Sequence, residues 1–308
     1  MNFYYNNLFS PSKLKSLFKI QNITPKYSLG QNFLIDRNIV GKIIDAAQPS
    51  KNDKVIEVGA GLGVLTVPLG QAARQVIAYE IDKRLIPLLS ETVSDFDNVE
   101  IVNEDILLKL KTQSSKLKTT TQTCLIGSPP KRRNSKFSIN SGEYKVIGNL
   151  PYYITSRILR HFLSVEHKPQ SMIITIQKEV AERICAKPPQ MSLLSVSVQF
   201  YGRPQIMAQV SKNCFWPRPK VDSAIVRIDI NGAEFFQEHH FFSLVKAGFS
   251  SKRKMLINNL LKKLGGEKRQ WEEIFCQIGL NPQARAQELG VEEWKDLALI
   301  SKNIVLIF

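Results

Sequence analysis

The chain has 308 residues, 43% of them hydrophobic and 22% charged, with a formal net charge of +15. This composition excludes global disorder, and no apolar run reaches the roughly 18 residues that span a bilayer. Such length allows one large domain and a smaller one. The excess of positive charge favours an anionic partner, with nucleic acid as the first candidate and an anionic membrane as the second.

The N-terminal region is basic and has no acidic residue. Residues 1–35 contain Lys13, Lys15, Lys19 and Lys26 but no Asp, Glu or Arg. An organellar transit peptide is usually rich in Arg, so we predict a basic tail over residues 1–25 in preference to a targeting signal. The thiols are scattered, at Cys124, Cys185, Cys214 and Cys276. Their spacing indicates neither a zinc site nor a disulfide framework and is typical of a reducing cytosol.

Short apolar runs alternate with helical patterns from residue 36 to residue 230. Helices are predicted over residues 36–48, 65–73, 84–93, 154–163 and 178–185. Strands are predicted over residues 54–58, 76–80, 99–102, 144–148, 171–176, 193–201 and 224–230. This alternation predicts an α/β domain with a parallel sheet.

The pattern becomes helical after residue 232. Helices are predicted over residues 241–249, 255–264, 271–279 and 292–299. We therefore predict an α/β domain over residues 26–232 and a small all-helical domain over residues 233–308.

Residues 109–145 interrupt the alternation. They contain nine Lys or Arg residues and a single acidic residue, Glu143. This composition predicts a flexible basic loop inserted into the first domain. A solvated insertion is the simpler interpretation, and an auxiliary contact with nucleic acid is the alternative.

A glycine-rich turn follows the first predicted strand, in the segment Glu57-Val58-Gly59-Ala60-Gly61-Leu62-Gly63. The spacing Gly-x-Gly-x-Gly lets the backbone turn tightly and approach a ligand closely. A dinucleotide fingerprint requires a further Gly at position 64, where this chain has Val64. The turn therefore favours a nucleoside without a pyrophosphate, and a purely structural turn is the alternative.

Carboxylates follow the next two predicted strands. Glu80 ends the second strand and could accept hydrogen bonds from ribose hydroxyls. Asp105 ends the third strand and could accept from the exocyclic amine of an adenine. Either residue alone is typical of a surface. In this order, after the glycine-rich turn, they predict an adenosine site at the carboxyl edge of the sheet.

The turn Asn149-Leu150-Pro151-Tyr152 follows a fourth buried strand. The Asn149 side chain and a backbone carbonyl can accept hydrogen bonds from an amine, and Tyr152 offers a ring on which a base can stack. A helix start, with Asn as the cap and Pro at the first position, is the alternative. Beside an adenosine site, the turn predicts a pocket for a target adenine.

Together these motifs resemble the S-adenosylmethionine-dependent rRNA adenine N6,N6-dimethyltransferases. The resemblance extends from about residue 26 to residue 300 and also includes the segments 31–36, 215–223, 250–256 and 284–289. The last two segments favour the bacterial small-subunit enzymes over the large-subunit enzymes of macrolide resistance. The stretch between Asp105 and Asn149 is longer than the family pattern because of the basic insertion.

The resemblance implies a Rossmann-like methyltransferase sheet with a helical C-terminal domain, S-adenosyl-L-methionine as the cofactor, and no metal. The implied cofactor-binding residues are Gln31, Asn32, Leu34, Gly59, Gly61, Glu80, Asp105 and Asn149. The implied target site consists of Asn149, Leu150, Pro151, Tyr152 and Phe215, with Phe33 helping to close it. Packing in the core is the alternative for both phenylalanines. The candidate RNA contacts are Lys252, Arg253 and Lys254, for which a solvated face is the alternative.

The implied function is N6,N6-dimethylation of two adjacent adenosines near the 3′ end of 16S rRNA, in the small ribosomal subunit or its precursor. We expect a monomeric, cytoplasmic enzyme that does not associate with a membrane. The alternatives are a 23S rRNA adenine N6-methyltransferase and a non-catalytic nucleic-acid-binding factor on the same fold. The intact Asn149–Tyr152 turn and the adenosine site favour an enzyme.

Overall fold

The computed structural model describes residues 3–107, 143–231 and 237–302. The chain divides into two compact units, one of Met1–Thr175 with Ser211–Lys220 and one of Ile176–Val210 with Val221–Phe308. This division follows packing, and the domain boundary near residue 232 stays a prediction. Most of the basic insertion lies outside the described residues, so the loop proposed for it also stays a prediction.

In chain order, the strands are β1 (Phe33–Leu34), β2 (Lys54–Val58), β3 (Gln75–Tyr79), β4 (Val99–Val102), β5 (Tyr144–Asn149), β6 (Ser171–Gln177), β7 (Gly202–Val210), β8 (Phe215–Trp216) and β9 (Ser223–Ile230). The helices are α1 (Phe3–Asn7), α2 (Pro11–Ile20), α3 (Arg37–Ala47), α4 (Thr66–Ala72), α5 (Ile86–Thr92), α6 (Thr155–Ser164), α7 (Lys178–Ile184), α8 (Leu193–Tyr201), α9 (Glu238–Gly248), α10 (Leu256–Leu264), α11 (Lys268–Gln277) and α12 (Val291–Ile300).

A parallel sheet forms the centre of the first unit. Its strand order is β4-β3-β2-β5-β6, and each neighbouring pair is parallel. Ile56 of β2 lies between Ile77 of β3 and Val146 of β5, and all three side chains are buried. Burial on both faces explains the short, continuous apolar runs in the sequence. The predicted parallel α/β sheet is confirmed.

The N-terminal segment, predicted as a basic tail, contains α1 and α2. Leu14 and Phe18 lie four residues apart on one face of α2 and are buried, whereas Lys15 and Lys19 are exposed. The Phe18 ring packs edge-on against Phe33 and Trp216, with ring centroids 5.2 and 5.1 Å away. The segment therefore contributes to the packing of the first unit.

Local signals in the sequence explain where α3 begins. The carboxylate of Asp36 accepts hydrogen bonds from the backbone amides of Asn38 and Ile39, at 2.9 and 3.2 Å, and so caps the helix. Just before this cap, β1 pairs antiparallel with β8, with Phe33 opposite Trp216 and Leu34 opposite Phe215. This short ladder holds the residue 31–36 segment in place.

The second unit contains an antiparallel pair, β7 and β9, and one of its elements corrects a prediction. Residues 193–201 were predicted to be a strand, but they form helix α8. Ser192 and Ser195 make a capping box, in which each side chain accepts from the backbone amide of the other at 3.2 and 2.6 Å. The alternation of Val and Ser imitated a strand pattern, and burial around much of the helix left no clear helical period.

Helices α9–α12 of the second unit surround a separate hydrophobic core. Its largest members, Phe241, Trp271, Phe275 and Trp294, are fully buried. This confirms a helical C-terminal region. Within the residues that the structure describes, none of the helices has the length and apolar character of a membrane span.

Candidate functional site

A cleft opens where the parallel strands of the first unit end. It is lined by Gly59 and Gly61 after β2, Glu80 after β3, Asp105 after β4 and Asn149 at the end of β5. The predicted residues that line it are Gln31, Asn32, Phe33, Leu34, Gly59, Gly61, Glu80, Asp105, Asn149, Leu150, Pro151 and Tyr152. The structure thus brings these residues together, and their individual roles stay predictions.

The glycine-rich turn is fixed against the end of β3. The backbone amides of Gly59 and Ala60 both donate to the Tyr79 carbonyl, at 2.9 and 3.0 Å. Gly59 and Gly61 have φ angles of +76° and +58°, a left-handed conformation that side chains disfavour. A β-carbon at Gly61 would also lie 3.6 Å from the Phe33 ring. The turn therefore needs glycine for its conformation and brings bare backbone to the cleft.

Glu80 is a buried carboxylate that organises the neighbouring loop. Its oxygens accept from the backbone amides of Gly61 at 2.8 Å and of Asp82 at 2.7 Å. Burial raises the pKa of Glu80 despite these bonds. An ionised carboxylate has about four acceptor positions. The bonds from Gly61 and Asp82, with a further contribution from the Ile81 backbone, leave capacity for a hydroxyl group of a ligand.

Glu57, at the end of β2, was part of the glycine-rich motif but had no predicted role. It lines the cleft and is only 1% exposed. Among the described residues, its Oε2 atom has no hydrogen-bond partner. Burial, reinforced by the charge of Glu80, raises the pKa of Glu57 to about 8. With this pKa the Glu57 carboxyl group is protonated at neutral pH, so it can donate as well as accept a hydrogen bond. Its unused Oε2 atom therefore leaves a polar contact that a ligand could make.

The Asn149 side chain has a defined orientation. Its Nδ2 atom donates to the Asn32 carbonyl at 2.9 Å, which leaves Oδ1 as the acceptor of the amide. The Leu150 amide donates to the Thr175 carbonyl at 3.1 Å, so the peptide that follows Asn149 is also held. Helix α6 has Ile154 at its N-cap and no side-chain cap. The alternative in which Asn149 caps the next helix is therefore wrong.

A polar network that no local sequence pattern indicates supports one wall of the cleft. Gln31 donates from Nε2 to Asp82 at 2.9 Å and accepts at Oε1 from the Lys26 amide at 2.7 Å. The Arg84 guanidinium binds the same Asp82 carboxylate at 2.6 Å and holds the pKa of Asp82 far below its usual range. Asp82 stands beside Lys83 and Arg84, a pattern typical of a surface, so only the long-range contact with Gln31 reveals its position.

The two predicted phenylalanines occupy different positions. Phe33 lines the cleft, and its ring lies over Gly61. Phe215 is buried, pairs with Leu34 and is not among the residues that line the cleft. In this structure Phe215 packs behind the wall, as the core alternative proposed, and its contact with a target base stays a prediction.

The predicted RNA contacts lie in an ordered turn of the second unit. Lys252, Arg253 and Lys254 are exposed just before α10. The buried Asn259 side chain fixes this turn by donating to the carbonyls of Gly248 and Ser251, at 2.7 and 2.9 Å. The basic side chains are thus displayed on a backbone that is held from within the core.

Two further residues at the cleft were not singled out from the sequence. Tyr153 and Arg157 both line it and are exposed. They follow the Asn149–Tyr152 turn directly, and nothing in the local pattern separates them from ordinary surface residues.

Comparison of the chain with known proteins gives consistent matches over nearly its whole length. A family model described as ribosomal RNA adenine dimethylase matches residues 22–303. A ribosomal RNA small subunit methyltransferase A from Dehalococcoides mccartyi is 39% identical over 292 residues, covering 94% of this chain and 92% of the relative. A protein of the same name from Enterococcus faecalis is 37% identical over 308 residues, covering 97% and 98%.

Solved structures show the same fold. The 23S rRNA methyltransferase ErmE superposes with a TM-score of 0.66 at 27% identity, covering 87% of this chain and 98% of that chain. A dimethyladenosine transferase from Plasmodium falciparum superposes with a TM-score of 0.71 at 23% identity, covering 88% and 98%. These likenesses confirm the predicted methyltransferase fold.

Proposed function

This chain belongs to the ribosomal RNA adenine dimethylase family, and we propose that it dimethylates N6 of two adjacent adenosines near the 3′ end of 16S rRNA. The observation that carries the proposal is the oriented amide of Asn149, which keeps Oδ1 as its acceptor and belongs to a residue that lines the same cleft as the glycine-rich turn. The small subunit is favoured because the relatives at 39% and 37% identity both have that subunit in their names.

We infer that the cleft binds S-adenosyl-L-methionine, and the residues present fit that molecule. The bare backbone at Gly59 and Gly61 permits close approach, and the spare acceptors of Glu80 suit ribose hydroxyls. The Oε2 atom of Glu57, which has no partner among the described residues, leaves a polar contact for a group of the ligand. When bound, this cofactor supplies an electrophilic methyl group on a sulfonium sulfur.

We infer the role of Asp105 from its position after β4. One of its oxygens, Oδ1, accepts from the Leu107 amide at 2.9 Å, which fixes the carboxylate at the cleft wall. Its remaining acceptor capacity suits the exocyclic amine of the cofactor adenine. Together, Glu80 and Asp105 would read the ribose and the base of one adenosine.

The chemical difficulty lies in the target amine, because the N6 lone pair of adenine is delocalised into the ring. Asn149 Oδ1 and the Leu150 carbonyl would accept hydrogen bonds from the two N–H groups of N6. These bonds would favour a pyramidal amine with a localised lone pair. Tyr152 would hold the base by stacking. Such positioning contributes up to about 7–11 kcal/mol in favourable cases. The alkylated nitrogen is strongly acidic, so its proton is lost readily after each transfer.

The same two acceptors account for two successive methylations. A monomethylated amine keeps one N–H, so one acceptor can still orient it for the second transfer. A dimethylated amine has no N–H left, and both acceptors lose their partner. Because these hydrogen bonds to the enzyme are then lost, the finished product would bind less tightly and be released.

We infer that rRNA binds through the basic surface, including the turn at Lys252, Arg253 and Lys254. The net charge of +15 favours phosphate contacts, and such binding weakens steeply as the salt concentration rises. The backbone of this turn is already fixed, so little backbone entropy is lost when the side chains contact phosphate groups.

The test is methyl transfer from labelled S-adenosyl-L-methionine to ribosomal particles that lack these modifications. We expect label in 30S particles, with primer extension stopping at two adjacent adenosines near the 3′ end of 16S rRNA. Label confined to 23S rRNA would favour the large-subunit alternative. Absence of label in both RNAs, together with tight RNA binding, would favour a non-catalytic factor.

A further inference from the structure

Tyr153 presents an unusually open aromatic ring at the mouth of the cleft. It lines the cleft beside Tyr152, yet 52% of its surface is exposed. The backbone around it is fixed, because residues Tyr152–Ile154 form a single 3₁₀ turn and the Ile154 amide donates to the Pro151 carbonyl at 3.1 Å. The ring therefore projects from an ordered turn.

The backbone of Gly30 supports this ring from below. Gly30 has a φ angle of +59°, and a β-carbon there would lie 3.2 and 3.3 Å from two ring atoms of Tyr153 and 3.1 Å from Pro151. Only glycine leaves the ring room to rest on the backbone in this way. An aromatic ring that is already positioned loses little conformational freedom when a partner stacks on it.

Arg157 places a positive charge close to this ring in sequence and at the same cleft. It follows Tyr153 by four residues, is exposed, and also lines the cleft. The first turn of α6 contains no acidic residue that would offset its charge. A guanidinium is well suited to bind a phosphate through two parallel hydrogen bonds.

We propose that Tyr153 stacks on the base of the nucleotide next to the target adenosine and that Arg157 binds a phosphate of the same strand. This rests on the proposed function, in which the target adenosine enters the pocket at Asn149 and Tyr152. A nucleotide that leaves its stack deprives its neighbour of a stacking partner. Tyr153 replaces that partner at the mouth of the cleft.

The proposed substrate identifies the base that would stack on the Tyr153 ring, which is called the stacking platform below. Because the two target adenosines are adjacent, the neighbour of the one in the pocket is the other target adenosine on one side. Dimethylation at N6 leaves the face of the ring aromatic, so the platform accepts an unmodified or a modified adenine.

The test is a double-substitution cycle on reconstituted 30S particles, with methylation of the remaining adenosine as the readout. Each adenosine of the pair is replaced in turn by an abasic nucleotide and assayed with wild-type enzyme and with Tyr153→Ala. We expect the abasic neighbour to lower kcat/KM about ten-fold for wild type in one of the two arrangements. We expect Tyr153→Ala to lose about ten-fold on the intact pair and nothing more on that abasic particle.

Controls separate stacking from folding. Tyr153→Phe keeps the ring and should retain wild-type kcat/KM. Tyr27→Ala removes a tyrosine that is 89% exposed but does not line the cleft, and it should change neither activity nor melting temperature. If the effects of Tyr153→Ala and of the abasic neighbour multiply independently in both arrangements, the stacking platform is wrong while the proposed function stands. If wild type methylates neither adenosine of the intact pair, the proposed function fails, and this inference fails with it.

The contribution of Arg157 is tested by salt dependence. A plot of the logarithm of the binding constant for the 30S particle against the logarithm of the salt concentration has a negative slope. Arg157→Gln should make this slope less steep by about one. An unchanged slope would remove Arg157 from the phosphate contact.

Discussion

The two halves of the cleft are built differently. On the proposed cofactor side, Glu57 and Glu80 are buried, and backbone amides hold the glycine-rich turn and the Glu80 carboxylate. On the target side, Asn149 and Tyr152 are half-buried, and Tyr153 and Arg157 are exposed. A small ligand can be enclosed, whereas a strand of RNA must enter from outside. The contrast therefore indicates that one half is shaped before binding and the other is completed by the substrate.

Substitution of Asn149 should have the largest effect of those considered, and it should lower turnover without lowering cofactor affinity. Asn149→Ala removes the oriented acceptor, and we expect kcat to fall about 100- to 1,000-fold, by analogy with the loss of one oriented polar group from an active site. Calorimetry should find cofactor affinity nearly unchanged. Asn52→Ala, at an exposed residue that does not line the cleft, is the matched control. Equal losses of turnover and of cofactor affinity would make Asn149 a structural residue and remove the distinction between the halves.

Substitution of Glu80 should produce the opposite pattern. A hydrogen bond to a charged group contributes about 1.5–3 kcal/mol, so Glu80→Ala should weaken cofactor binding by about 10- to 100-fold. At saturating cofactor, kcat should change far less. Glu104→Gln makes a similar charge change at an exposed carboxylate of the same cleft and should leave the affinity within about two-fold. Unchanged affinity in Glu80→Ala, measured by calorimetry, would remove Glu80 from the ribose role.

The buried Glu57 should give the cofactor half a pH signature. Its pKa is about 8 in the folded protein, whereas an unfolded Glu has a pKa of about 4.3. Between these values the folded state holds a proton that the unfolded state has lost, so stability falls as pH rises, by up to about 1.4 kcal/mol per pH unit. Glu57→Gln should abolish this component in denaturant titrations from pH 5 to 8. Identical pH profiles for the two proteins would show that Glu57 does not titrate in this window.

The smallest effect concerns the wall formed by Gln31 and Asp82. Gln31→Ala and Asp82→Ala should each weaken cofactor binding a few-fold, and the double variant should be no weaker than Asp82→Ala alone. Affinities that combine additively would show that the contact between these side chains does not act on the cofactor half.

The carboxyl edge of the sheet was predictable because parallel strands end together. Gly59, Glu80, Asp105 and Asn149 each follow a recognisable strand, so local patterns were enough to bring them to one cleft. The bond from Gln31 to Asp82 joins residues 51 apart in sequence, and no local pattern encodes such a contact.

The other predictions were limited because a local sequence pattern does not show which side chains are buried or whether alternating apolar residues form a strand or a helix. Glu57 was part of a recognised motif, but only the structure shows that its Oε2 atom has no partner among the described residues. The family resemblance places Phe215 beside the target base; the structure shows it buried by the ladder with β1, so that contact stays a prediction. Apolar and polar residues alternate over residues 193–201 as they do in a strand, but the segment is a helix whose N-terminus is stabilised by the capping box at Ser192.

The central test of the proposed dimethylation is a mass measurement. Unmodified 30S particles are incubated with the enzyme and S-adenosyl-L-methionine, and the mass of the 3′-terminal fragment of 16S rRNA is then determined. We predict two added methyl groups on each of two adjacent adenosines with wild type. We predict almost none with Asn149→Ala, although that variant still binds the cofactor. An unchanged fragment mass with wild-type enzyme, or full dimethylation by Asn149→Ala, would contradict the account.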